Sequence, residues 1–294
     1  MIGLELDDAG ATAVRVDGQG AVQARARVDA SSDLAAATAN ALAHVETAGS
    51  DPLGIAATNP DSPVIAQVVA SLAPRLAVPF NSTGAVMSGA AAAVAEAWTG
   101  AARGVQDVVF FAVAQHATGG ILRGGAAIAG TRGRAGSVAW LSLNPVERED
   151  YRKTGCLEAE VAAAGLVRRL IWRIKAGDRS RVQDLVKDDL SAITVDHLLD
   201  AARGGDGVSI SVVRDTAKYL GMAAANLVVV ADPEMLVLGG IMASAADLLL
   251  EPLRVEMARR LPKPMMDALK IETAVLGPDA AAIGAARLVT AART

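Results

Sequence analysis

Cysteine is almost missing from this 294-residue chain: Cys156 stands alone, so no disulfide forms within it and a multi-cysteine metal site is excluded. The three histidines, His44, His116 and His197, are far apart and never at ligand spacing, so no bound metal is expected. No basic run exists either. The 28 Lys and Arg are scattered among 32 Asp and Glu, for a net charge of −4, which argues against nucleic acid as a partner. Long apolar runs are also lacking: the uncharged stretch 76–95 contains Pro79, Asn81, Ser82, Thr83, Gly84, Ser88 and Gly89, costly groups to place in lipid. No membrane partner is expected. The first residues carry no basic segment followed by an apolar one, and Glu5 already interrupts the first apolar run, so a cytoplasmic location is expected.

What is present is ordinary for a globular protein. Hydrophobic residues make up 52%, and the length suits two compact lobes. Residues 3–6, 13–16 and 22–28 read as three strands, followed by an alanine-rich helix over 32–46 with Ser31 and Ser32 as cap candidates. A short buried strand over 53–57 and helices over 64–72 and 90–98 follow. After "TGAARGVQD" the chain restarts with the apolar "VVFFAVAQ", which places a lobe boundary near 104–106. Strand candidates follow at 120–122, 126–129 and 138–141. Helices are then expected at 158–175, 182–186, 195–202 and 209–230, the last stopped by Asp232-Pro233. A buried strand at 235–238, a turn opened by Gly239-Gly240, a strand in "IETAVLG" and a helix over 280–292 close the chain. Strands alternating with helices imply layered α/β lobes.

The order of these pieces resembles the ROK family of sugar kinases and sugar-responsive repressors, within the actin-like ATPase superfamily. The resemblance rests on "GCLEAEVAAAGL" (155–166), "YLGMAAANLVVVADPEMLVLGGIM" (219–242) and "LGPDAAAIGAARL" (276–288). In the first half it rests on "GIAATNP" (54–60) and "EAWTGAARGVQDVVFFAV" (96–113). It implies a two-lobed, ribonuclease H-like α/β fold, each lobe a mixed sheet with helices. Residues 1–105 with 281–294 would form one lobe. Residues 106–280 would form the other, with a helical insertion and a dimer surface. A homodimer and a small sugar-like ligand are the partners implied.

The resemblance also implies a chemical plan, from which this sequence departs at five places. Phosphoryl transfer needs amides that cradle phosphate, a magnesium site and a carboxylate that takes the hydroxyl proton. In the first phosphate turn Glu5 holds the family's Asp place, and Asp7 and Asp8 stand where glycines would face phosphate. Carboxylates there repel a triphosphate: like charges at roughly 4 Å cost several kcal/mol at an intermediate dielectric. In the second loop, "AQHATGGI" keeps only Gly119 and Gly120 and introduces His116. The base position falls in "PFNSTGAVMSGAAAAVAE", within a stretch from Asp61 to Asp107 that contains no other Asp; Ser82 or Ser88 occupies it, with Asn81 standing in for the family's Asn. A serine hydroxyl is no base near neutral pH. The sugar-contacting Glu and His places hold Ser137 and Trp140 in "GRAGSVAW", leaving Glu158 as the one family sugar contact in place. The zinc segment, "VEREDYRKTGC", keeps Cys156 alone.

These departures point to a ROK-like pseudokinase. Its vestigial nucleotide site would comprise Glu5, Asp7, Asp8, Gly119, Gly120, Gly239 and Gly240, with no catalytic residue, no metal and no cofactor. Asn81, His116, Ser137, Trp140 and Glu158 are its ligand-binding candidates. Asp7 and Asp8 as a solvated hairpin, His116 and Trp140 as packing residues and Glu158 as a helix first-turn charge are the purely structural alternatives. An ATP-dependent hexose kinase is the alternative function. It would need Mg-ATP, magnesium ligands among Glu5, Asp7 and Asp8, and Glu96 or Asp61 as base. A regulator acting through a partner is a third reading; the family's repressors carry an N-terminal DNA-binding extension, whereas this sequence opens on the first strand.

Overall fold

The computed structural model describes residues 1–30, 33–47, 51–76 and 84–291. The first sheet comprises β1 (Ile2–Asp7), β2 (Gly10–Val16), β3 (Val22–Asp29), β4 (Leu53–Ala57) and β5 (Val86–Met87), in the order β3-β2-β1-β4-β5. The second comprises β6 (Val108–Val113), β7 (Ala117–Arg123), β8 (Ala126–Ala127), β9 (Met235–Gly240) and β10 (Lys270–Thr273), in the order β8-β7-β6-β9-β10. In each, the first strand pairs antiparallel with the second and parallel with the fourth. The two lobes therefore share one topological plan, that of the actin-like ATPase fold.

Period-two patterning positions these strands. Ile2, Leu4 and Leu6 of β1 are fully buried against helices Leu34–Val45 and Pro63–Leu72. On the opposite face Gly3 admits helix Ala280–Ala291, where a Cβ would lie 1.7 Å from the Ala282 carbonyl oxygen. β6 is apolar on both faces, as a central parallel strand must be. Val109, Phe111 and Val113 enter the core with the long helix Gly207–Ala231, while Val108 and Phe110 meet Ala91, Ala92 and Ala93 of helix Ser88–Thr99. Helices Ser88–Thr99 and Ala280–Ala291 thus share the layer between the sheets.

Local chemistry sets the ends. The Asp33 carboxylate accepts the Ala36 amide at 3.0 Å and caps helix Leu34–Val45; Ser31 and Ser32 lie outside the described residues. Asp232 adopts a left-handed conformation with φ +43° and closes the long helix ahead of Pro233, as the sequence implied.

Two expected elements are corrected. Residues 138–141 form no strand: Val138–Trp140 is a 3-10 turn, because the amides of Trp140 and Leu141 bond back to Ser137 and Val138. The helix expected over 158–175 is two, Cys156–Val161 and Ala163–Lys175, parted at an extended Ala162. Gly165 permits the fold-back, since a Cβ there would lie 2.4 Å from the Ala159 carbonyl oxygen, which Arg168 caps at 2.8 Å. Helices Glu149–Thr154, Ala246–Ala258 and Lys263–Ala268 were not foreseen. Among the described residues no helix is long and apolar enough to cross a membrane.

Candidate functional site

In open α/β sheets ligands bind beyond the carboxyl ends of parallel strands. On the first sheet those ends present Asp7 and Asp8 after β1, Thr58 after β4 and Ser88 after β5. On the second, the β6–β7 turn presents His116. Asp8 and Asp7 both act electrostatically on the His116 imidazole, so the two edges face each other across an interlobe cleft.

The first turn is filled by its own side chain. Asp7 Oδ1 accepts the Ala9 amide at 2.8 Å, and Asp7 Oδ2 accepts from Arg27 Nη1 at 3.2 Å. Arg27 also donates to Thr12 Oγ1 at 3.0 Å. Asp8 is exposed at the tip, as a solvated hairpin residue would be. Two residues back, Glu5 is half-buried. Burial pushes its pKa up to about 7, aided by the charges of Asp7 and Asp279 and opposed by the Ser88 hydroxyl and Arg27. Ser88 is only 2% exposed, and its hydroxyl neighbours Glu5 without a well-formed hydrogen bond to it or to any other group. Thr58 Oγ1 is likewise buried without a partner, although its backbone amide completes the ladder to Leu6 at 3.1 Å. Unpartnered buried hydroxyls are rare, and each calls for an explanation.

The second loop is filled in the same way. Glu158 Oε2 accepts the Ala117 amide at 2.8 Å, and its Oε1 lies 3.2 Å from His116 Nδ1. The hydrogen bond to Glu158 raises the His116 pKa, against the opposing effect of partial burial. Glu158 is thus both a first-turn residue of helix Cys156–Val161 and the ligand of this loop. Gly119 and Gly120 press on protein: a Cβ on Gly120 would lie 2.1 Å from the Gly89 carbonyl oxygen, and one on Gly119 would lie 2.4 Å from Val138 Cγ1. Gly239 packs against Ala112 and Phe110, and Gly240 has φ +61° with Val113 O 1.9 Å from its would-be Cβ.

The remaining candidates separate. Ser137 donates its hydroxyl to the Arg134 carbonyl at 2.7 Å, and Arg134 forms an ion pair with Asp61 that joins the two lobes. Trp140 is 58% exposed, which excludes a core role. Of the two base-position candidates, Ser88 opens helix Ser88–Thr99, while Ser82 and Asn81 lie outside the described residues. Glu96 is no base: fully buried, it accepts the amides of Ala101 at 2.7 Å and of Val275 and Leu276 at 3.1 Å. Asp61 is engaged by Arg134.

The donor sets do not fit phosphate or zinc. The amides of Ala9 and Ala117 already hold carboxylates, and the glycine pair of the second loop backs onto Gly89. Around Cys156 the neighbour is Tyr151, whose hydroxyl donates to the buried Glu160 while Arg148 stacks on its ring at 5.2 Å. Among the described residues no three His, Cys, Asp or Glu side chains gather to hold a metal. Thr58, Arg27 and the Asp61–Arg134 pair were missed in the sequence; only the position of Thr58, just past a buried strand, signalled it.

Comparison with known proteins agrees with this architecture. The chain is 33% identical over 201 residues to a glucokinase of Halalkalibacterium halodurans, covering 67% of this chain and 60% of that one. It is 28% identical over 159 residues to the DNA-binding transcriptional dual regulator NagC of Escherichia coli, covering 54% and 38%. The chain thus spans about 60% or less of the length of these two relatives. Its fold matches a ROK family glucokinase from Streptomyces griseus solved with glucose and AMPPNP, with a TM-score of 0.81, 22% identity and 98% of each chain covered. It also matches a ROK family transcriptional regulator, a homolog of the E. coli MLC protein, with a TM-score of 0.79, 18% identity, and 99% and 78% covered. The ROK family model matches residues 54–292, and the chain belongs to that family.

Proposed function

We propose that this ROK protein binds a small molecule in its interlobe cleft and does not transfer phosphate. The observation that carries the reading is that both cleft-facing turns have an amide satisfied by a carboxylate of the chain itself, Asp7 on Ala9 and Glu158 on Ala117. A phosphate would have to displace an intramolecular anion at each. Ser88 at the start of its helix supports the same reading, because loss of a general base typically lowers a rate on the order of a hundredfold to ten-thousandfold. The expected assembly is a homodimer with a sugar-like ligand and without nucleic acid or membrane.

One observation favours the alternative, an ATP-dependent hexose kinase: Glu5, with its pKa near 7, has the protonation behaviour of a general base. The similarity to glucokinases points the same way. Calorimetric titration with millimolar Mg-ATP, alone and with a hexose mixture, separates the two readings. No heat of binding is expected. Micromolar Mg-ATP affinity together with hexose-dependent release of ADP would overturn the proposal.

A further inference from the structure

The carboxylates that surround the cleft are matched with cations, with two exceptions. Asp7 pairs with Arg27, Asp61 with Arg134, Asp279 with Arg25 and Glu158 with His116. Glu5 and Asp8 form no ion pair among the described residues. Both lie on the β1 edge, Glu5 at the floor and Asp8 at the rim. Beside Glu5 stands the Ser88 hydroxyl, 98% buried and without a well-formed hydrogen bond, and on the adjoining strand end stands the unpartnered Thr58 hydroxyl.

We infer that the cleft takes a small polyol carrying a protonated amine, with the ammonium held by Glu5 and Asp8 and the hydroxyls by Ser88 and Thr58. This rests on the reading of the cleft as a small-molecule site. Two observations lead to it independently: the unmatched negative charge asks for a cation, and the orphaned hydroxyls ask for a partner that both donates and accepts. A calcium ion fits less well, because it takes about six to eight oxygen ligands and only two carboxylates are free. A neutral polyol would satisfy the hydroxyls and leave Glu5 to be neutralised by a proton alone, whereas an ammonium pairs with its carboxylate form. An anionic ligand would meet Asp8 at the mouth.

The test is calorimetry near pH 7 with three probes of closely related shape, D-glucosamine, N-acetyl-D-glucosamine and D-glucose. Glucosamine is expected to bind at least about tenfold more tightly than the other two. Glu5→Gln and Asp8→Asn should each erase most of that advantage, and Ser88→Ala should weaken glucosamine by several-fold, with folding of each variant checked by circular dichroism. Equal or tighter binding of glucose or N-acetylglucosamine would overturn the inference, as would no binding of any of the three. Mg-ATP run in parallel reports on the other reading: its binding together with hexose-dependent release of ADP would overturn the loss of phosphoryl transfer, while the ranking of the three sugars still decides the charge of the ligand.

Discussion

Glu5 shows at the scale of one residue how the cleft departs from ordinary packing. Its carboxyl would titrate near 4.5 in the unfolded chain and titrates near 7 when folded. Between those values the folded chain keeps a proton that the unfolded chain has released, so stability falls as pH rises through this window. Above pH 7 the full penalty applies, on the order of 3 kcal/mol. Glu5→Gln removes the charge and keeps the shape. It is expected to stabilise the protein by about that amount at pH 8 and to change little at pH 4, as urea denaturation at the two pH values would measure. An equal effect at both values would mean that desolvation does not raise the Glu5 pKa as described. A residue that lowers stability at neutral pH and lines a cleft is a functional candidate on physical grounds.

Residue identities at the site were largely legible in the sequence, because departures in type at Glu5, Asp7, Asp8, Ser88 and His116 stand out without coordinates. Their pairings were not. His116 meets Glu158 across 42 positions, and Arg134 meets Asp61 across 73. No local pattern records such contacts.

At the scale of elements, Glu96 illustrates how a polar side chain can serve a junction instead of a site. It lies on helix Ser88–Thr99 and gathers three amides, one from the turn that ends this helix and two from the segment leading into helix Ala280–Ala291. The two helices of the central layer are thus tied at one end by a single buried carboxylate. Glu96→Ala would leave those amides buried without an acceptor, each worth about 1–3 kcal/mol when unsatisfied. A loss of about 3 kcal/mol or more is expected in denaturant unfolding, and a change under about 1 kcal/mol would show that the junction is held otherwise. Element types followed from apolar periodicity wherever a strand or helix was long. Periodicity failed at 138–141 and at Ala162, where glycine contacts with distant backbone, at Gly155 against Ala139 and at Gly165 against Ala159, dictate the path.

At the scale of the molecule, the two-lobed plan with a mixed sheet in each lobe followed from the family resemblance and not from any repeat of residues, because the repetition lies in strand order. Besides the apolar helix layer between the sheets, two further kinds of contact join the lobes, and their magnitudes differ. The Asp61–Arg134 pair spans the cleft between half-exposed side chains, 43% and 53% accessible, a setting in which an ion pair contributes about 0–1 kcal/mol. The glycine seam is a backbone-to-backbone contact: Gly120 of β7 lies against Gly89 near the start of helix Ser88–Thr99, with no room for a methyl group. Neither neighbour is the movable end of a side chain. Overpacking of this kind costs about 1–3 kcal/mol, more where backbone must shift. Asp61→Ala should therefore change unfolding free energy by less than about 1 kcal/mol, and Gly120→Ala should lower it by about 2 kcal/mol or more. Urea denaturation of the two variants measures both. The reverse ranking would mean that the ion pair governs lobe closure and that the second loop's glycines are free to meet a ligand.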